Sequence, residues 1–238
     1  MRVIGVLGGM SWQSTALYYD AINKGVKARL GGLHSAELVL YSVDFGVIEK
    51  LQHNDDWDGA AAIMAEAGRR LAAAGAEAIL IATNTMHKRA DDVATASGLP
   101  ILHIADATGQ AIVDQGLKKP LLLATAFTME QDFYTARLVD VFDLDVVIPE
   151  AEDRAEIHRI IYDELCQGQV RDQSRAIYRD IIKRYADDCD SVIFGCTEIT
   201  MLIGAEDSPH PVFDTTALHA QAAVDFALNG AEDGGNHG

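Results

Sequence analysis

The stretch AILIATNTMHK (residues 78–88) has a counterpart a hundred-odd residues on, SVIFGCTEIT (residues 191–200). Each drives an apolar run into a small polar cluster, with Thr83 at the first corner and Cys196 at the second. Runs this short and this continuously apolar read as strands buried on both faces, which is how parallel sheets appear in sequence. Similar Val/Ile/Leu runs stand at 3–7, 38–43, 100–104, 120–124, 145–148 and 211–213. Between most of them lie helical patterns, at 12–30, 59–75, 151–168 and 173–188. Strands alternating with helices predict an α/β class with parallel sheet.

Composition narrows the possible partners. The chain has 238 residues, 49% of them hydrophobic and 23% charged, the balance of an ordinary globular protein. Its net charge of -17 opposes nucleic acid and anionic membrane surfaces, and no Lys/Arg stripe offers an exception. No apolar run approaches the roughly 20 residues of a membrane span, and MRVIGVLGGM reaches Gly8 too early for a secretory signal, so the expected compartment is the cytoplasm. Cys166, Cys189 and Cys196 form no paired framework and no C-x-x-C, which predicts free thiols. The eight histidines (34, 53, 87, 103, 158, 210, 219 and 237) show no metal-ligand spacing. P-loop, dinucleotide, serine-hydrolase and zincin motifs are all missing.

The two opening stretches belong to a longer repetition. Aligning Thr83 with Cys196 pairs Ile79 with Val192, Leu80 with Ile193, Ile81 with Phe194 and Ala82 with Gly195. Further on, LPILHIADATGQA (99–111) resembles HPVFDTTALHAQA (210–222), with Pro100 on Pro211. At the front of each copy, VIGVLGGMS and LLLATAFTM are strands opening into small-residue turns. The order predicts two duplicated parallel-sheet domains, 1–98 and 99–211, with 212–238 returning to the first and the tail NGAEDGGNHG unstructured. Ligands of such sheets bind beyond the carboxyl ends of the strands, so Thr83 and Cys196 are expected to face one cleft from its two sides. A cysteine at a helix start there is expected to have a lowered pKa and to serve as base or nucleophile. The competing reading of Cys196 is a small buried hydrophobe.

Five motifs, IGVLGGMSWQST, ATNTMHK, IADATG, TMEQDFY and FGCTEIT, in this order and at these spacings, resemble the aspartate/glutamate racemase family over essentially the whole chain. The resemblance is nearest to its broad-specificity L-aspartate/L-glutamate racemase branch. It implies two Rossmann-like domains, no cofactor, an amino acid as the small-molecule partner, one proton-transfer residue from each side, and often a homodimer. In most relatives both such residues are cysteines, the first in A-C-N-T-x-H; here that stretch reads Ala82, Thr83, Asn84, Thr85, Met86, His87. A thiol can be tuned to thiolate, whereas an aliphatic hydroxyl needs a helper base. The expectation is therefore that Cys196 removes the α-proton of the L-enantiomer and Thr83 delivers one on the other face, an asymmetric pair.

The resemblance also implies a binding set. Asn84, Thr85 and Thr197, with backbone N–H groups at the helix starts, are the expected donors to the α-carboxylate and enediolate. Met10 forms a wall, Thr125 and Thr128 close the second half, and Glu198 receives the substrate ammonium. Each of these also fits a helix cap or a tight turn. His87, four residues after Thr83, is expected behind it as relay or as a structural histidine bonded to backbone. Gln52 and Lys88 are expected around the distal carboxylate by the resemblance, and His53 because it lies next to them in sequence. The segment EKLQHNDD (49–56) lacks the arginine or lysine of many relatives there, and DELCQGQV lacks the lysine of aspartate-specific members near Cys166 or Gln167. Two alternatives stand beside racemisation: a decarboxylase- or isomerase-type relative using Cys196 alone, and a binding module without turnover.

Overall fold

The computed structural model describes residues 1–229. The expectation of an unstructured tail concerns residues outside that range, apart from Asn229.

In chain order the elements are β1 (Ile4–Gly8), α1 (Trp12–Leu30), β2 (Leu38–Ser42), α2 (Phe45–His53), α3 (Trp57–Ala73), β3 (Ala78–Ile81), α4 (Ala90–Ser97), β4 (Ile101–Leu102) and α5 (Ile104–Asp114). There follow β5 (Pro120–Leu123), α6 (Ala126–Glu130), α7 (Asp132–Phe142), α8 (Ala151–Asp163), α9 (Asp172–Arg184), β6 (Ser191–Phe194), α10 (Ile199–Leu202), β7 (Val212–Asp214) and α11 (Thr215–Leu228). The chain forms two compact units, Met1–His103 with the segment from His219 on, and Ile104–Leu218.

The first unit holds a four-stranded sheet in the order β2-β1-β3-β4, and the second a three-stranded sheet in the order β5-β6-β7. All pairings within them are parallel. Every residue of β1, β3, β5 and β6 is buried, which is why these strands read as unbroken apolar runs. β4 pairs with β3 and β7 with β6. The unit limits therefore fall a few residues beyond the sequence boundaries at 98 and 211, which would have cut a strand from each sheet.

Helix α1 shows how local chemistry sets an element. Ser11 caps its start, the hydroxyl accepting from Ser14 N at 3.2 Å, and Gly31 ends it at φ 75°. Its buried residues Ser14, Thr15, Tyr18, Ile22 and Val26 recur at helical spacing, and Tyr18, Ile22 and Val26 pack with residues of β1 and β3 in the core of the first unit. The turn before it depends on Gly9. Its φ is +95°, its N–H donates to Thr15 Oγ1 at 2.9 Å, and a Cβ there would lie 2.2 Å from the Val43 carbonyl oxygen. Gly9→Ala is expected to destabilise the protein by about 3 kcal/mol or more, the sum of left-handed strain and a backbone clash. Urea unfolding of the variant measures it.

The run 145–148, expected as a strand, is reduced to a single bridge between Leu121 and Val147. Val147 exchanges two hydrogen bonds with Pro120 O and Leu122 N, at 2.8 and 3.0 Å, and then Pro149, which has no N–H, ends the pairing. The helix expected over 151–168 stops at Asp163. Glu164 leaves helical geometry, and a separate 3₁₀ turn covers Leu165–Gln167. Among the described residues no helix is long and apolar enough to cross a membrane.

Candidate functional site

In the first unit the corner after β3 is tight. Ala82 N donates to Leu7 O at 2.9 Å, holding the strand end to β1, and Thr83 N donates to Ile81 O at 2.8 Å, a three-residue turn. A 3₁₀ turn over Thr85–Arg89 follows, so Thr83, Asn84, Thr85, His87 and Lys88 come together by sequence contiguity. Thr83 is partly exposed, while Asn84, Thr85 and His87 are buried. Met10 is buried just beyond β1, beside the Gly8–Gly9 turn.

His87 stands behind the corner through the backbone. Its Nδ1 is 2.7 Å from the Thr83 carbonyl oxygen, which requires the proton on Nδ1. Of the two roles read for it, the observed contact is the structural one. Beyond it lies a group that sequence reading missed. His103 and His219 pack edge-on against His87 with ring centroids 4.6 and 5.5 Å away. His219 Nε2 lies 2.5 Å from the Leu102 carbonyl, so Nε2 carries the proton and Nδ1 accepts from Tyr18 OH at 3.0 Å. Complete burial, with the neighbouring His87, depresses its pKa to about 3. No local motif foretells this, because Tyr18, Leu102 and His219 lie far apart in sequence and meet only where α1, α11 and the end of β4 pack together.

Gln52 is positioned by α2, an element absent from the sequence reading although Asp44 before an apolar-periodic run signals its cap. Its Nε2 donates to Met86 Sδ at 3.1 Å, while Oε1 is buried with no hydrogen-bond partner among the described residues. His53 does not join it. Adjacent residues on a helix point about 100° apart, and His53 lies on the exposed side, paired to Glu49 Oε1 at 3.0 Å. Lys88 is held over the Trp57 ring, Nζ 3.9 Å from the centroid, and burial lowers its pKa.

In the second unit β6 ends at Phe194, whose carbonyl accepts from Thr215 Oγ1 at 2.9 Å, and Gly195 N donates to Leu123 O at 2.8 Å. A Cβ on Gly195 would come within 2.9 Å of the Ala124 Cβ, so the corner needs glycine. Cys196 follows, partly exposed, and Glu198 folds back onto it: Sγ donates to Glu198 Oε2 at 3.0 Å, and Thr197 Oγ1 donates to the same oxygen at 2.7 Å. The expectation of a lowered thiol pKa is overturned. Burial first, and then the Glu198 carboxylate, push it well above its ordinary value. The helix at this corner, α10, has only four residues, too short for a sizeable dipole to offset them. The resting group is a thiol facing a carboxylate. Glu198, read as an ammonium receptor, is in this structure the partner of Cys196 and Thr197.

Thr125 and Thr128, both buried, share a hydroxyl contact of 3.2 Å at the start of α6, where Ala126 N donates to His158 Nδ1 at 3.1 Å. Cys166 sits in the 3₁₀ turn after Glu164, and burial together with Glu198 pushes its thiol up to about 12. Cys189 is also raised by burial. All three cysteines are free. Among the described residues no group of three or more His, Cys, Asp or Glu is placed to hold a metal.

Comparison with known proteins gives this arrangement a lineage. A candidate Asp/Glu racemase from Yersinia pestis is 54% identical, covers 96% of this chain and all of its own, and superposes with a TM-score of 0.91. An aspartate racemase homologue from Pyrococcus horikoshii is 35% identical over 95% of this chain and 99% of its own, with a TM-score of 0.81. The broad-specificity amino-acid racemase of Bacillus subtilis is 22% identical over 231 residues, 95% of this chain and 98% of that one. The family model of the Asp/Glu/Hydantoin racemases matches residues 7–223, a span that holds both the Thr83 and the Cys196 corner. The chain therefore belongs to the Asp/Glu/Hydantoin racemase family and is an isomerase of the amino-acid racemase kind.

Proposed function

We propose that the protein interconverts the L- and D-forms of an acidic amino acid, aspartate or glutamate, without a cofactor, using Cys196 on one face of the α-carbon and Thr83 on the other. The observation that carries the reading is the Cys196–Glu198 contact, which gives a protonated thiol a carboxylate within transfer distance. Cys196 passes its proton to Glu198, and the thiolate takes the α-proton of the L-substrate. The electron pair spreads into the α-carboxylate as an enediolate, and Thr83 returns a proton from the opposite side. Backbone N–H groups and the side chains of Asn84, Thr85 and Thr197 receive the enediolate charge. Gln52, whose Nε2 amide lies beside Met86 Sδ, and Lys88, a cation held on Trp57, are proposed as donors to the distal carboxylate.

Thr83 cannot ionise as a thiol does, so kcat from the D-enantiomer falls below kcat from L. The enantiomers have equal free energy, so kcat/KM is the same in both directions and the asymmetry lies in kcat and KM separately. Incubation with L- and D-aspartate and L- and D-glutamate in D2O, read by NMR and chiral chromatography, tests this. Deuterium should enter the α-carbon of the inverted product, with the larger kcat from L. Absence of exchange with all four by a folded protein would remove the proposal.

A further inference from the structure

We propose that the phenolic hydroxyl of Tyr178, on α9, is a positioning donor for Cys196. It hydrogen-bonds to the sulfur once the thiolate forms and so sets how readily that thiolate is reached. The inference rests on Cys196 acting as the acid–base thiol.

Tyr178 is fully buried in the core of the second unit, the core against which Cys196 and Cys166 pack. Its hydroxyl is inaccessible and has no hydrogen-bond partner among the described residues. A buried hydroxyl left unmatched is costly and rare, and such exceptions call for an explanation. The groups that act on it electrostatically are Cys196, Glu156 and Glu164, all anionic when deprotonated. Burial first, then these charges, hold its pKa well above the ordinary phenol value, so Tyr178 remains a proton donor.

The two carboxylates already have donors. Arg159 pairs with Glu156 at 2.8 Å and with Glu164 at 2.9 Å, and Ser174, one turn before Tyr178 on the same helix face, donates to Glu164 Oε2 at 2.5 Å. Cys196 is different. At rest it faces an acceptor, Glu198, and besides the Glu198 backbone N–H no donor is hydrogen-bonded to its sulfur among the described residues. When the proton passes to Glu198 the negative charge moves from oxygen to sulfur. A donor idle in the resting state and engaged in the charged one stabilises the step selectively.

The test is Tyr178→Phe, with the pH dependence of Cys196 alkylation by iodoacetamide followed at that peptide by mass spectrometry. The midpoint should rise by about one unit, so that alkylation below it slows about tenfold. The melting temperature should stay level or rise, and kcat from the L-substrate should fall at constant KM. Glu198→Gln, which removes a negative charge, should move the midpoint down instead. An unmoved midpoint in a folded Tyr178→Phe protein overturns the proposal. Failure of that variant to fold also overturns it, because the hydroxyl would then be serving the structure. Alkylation needs no substrate, so these outcomes stay separate from failure of the racemase reading, which the wild-type exchange experiment reports.

Discussion

Cys196→Ala is expected to lower kcat from L-aspartate by about 10³-fold, the range for loss of a positioned acid–base group. The protein should stay folded, since the side chain is partly exposed and its deletion leaves a small, open gap. The comparison that gives the number meaning is Cys189→Ala, at a thiol buried away from the corner, which should retain wild-type turnover. Thr83→Ser, which keeps the hydroxyl, should retain most activity, and Thr83→Ala should lose inversion while allowing exchange with retention from L. That split follows because Cys196 with Glu198 can still remove the α-proton and return it on the same face. Retention of a tenth or more of the exchange in Cys196→Ala would reassign the base.

Acid should destabilise the protein through His219. Burial holds its pKa near 3, so the folded protein leaves it neutral, whereas in the unfolded chain it takes a proton near pH 6.5. Between those values the unfolded state binds the extra proton. The stabilisation is therefore complete above about pH 6.5 and is lost as pH falls toward 3, at about 1.4 kcal/mol per unit. From pH 7 to pH 5 this one residue should cost about 2 kcal/mol. Gln at position 219 can still donate and accept but does not titrate in this range. The difference in pH slope between wild type and His219→Gln, from urea unfolding at pH 7, 6 and 5, isolates the effect from the many surface carboxylates. Equal slopes would mean that His219 takes its proton in the folded state.

The parts of this structure legible in the sequence are those fixed by short-range physics. Helix α1 is bounded as read, because Ser11 and Gly31 punctuate it. Strands β3 and β6 are legible because burial on both faces leaves only apolar residues in them. Their polar corners stand out for the same reason. What was not legible depends on side chains meeting across the fold. A helix start after β6 suggested an activated thiolate, but neither the burial of the sulfur nor the way Glu198 turns is written in GCTEI, and burial first, then the turn of Glu198 toward Sγ, reverse the sign of the pKa shift. His53 looked like a neighbour of Gln52 because it is adjacent in sequence, and helical geometry sends it outward. The histidines at 87, 103 and 219 show no spacing that links them in sequence, and only the parallel pairing of β3 with β4 and the packing of α11 bring them together.

The protonated state of Cys196 also bears on how long a molecule lasts in a cell. Peroxides attack thiolates, and repeated attack carries a cysteine through sulfenic to irreversible sulfinic and sulfonic acids. A thiol whose pKa is raised by burial and by Glu198 presents little thiolate until substrate chemistry calls for it. With threonine at the other corner, the proposed pair holds one oxidisable thiol where a two-cysteine pair would hold two. The lower kcat proposed from the D-enantiomer would be the counterpart of that chemical durability.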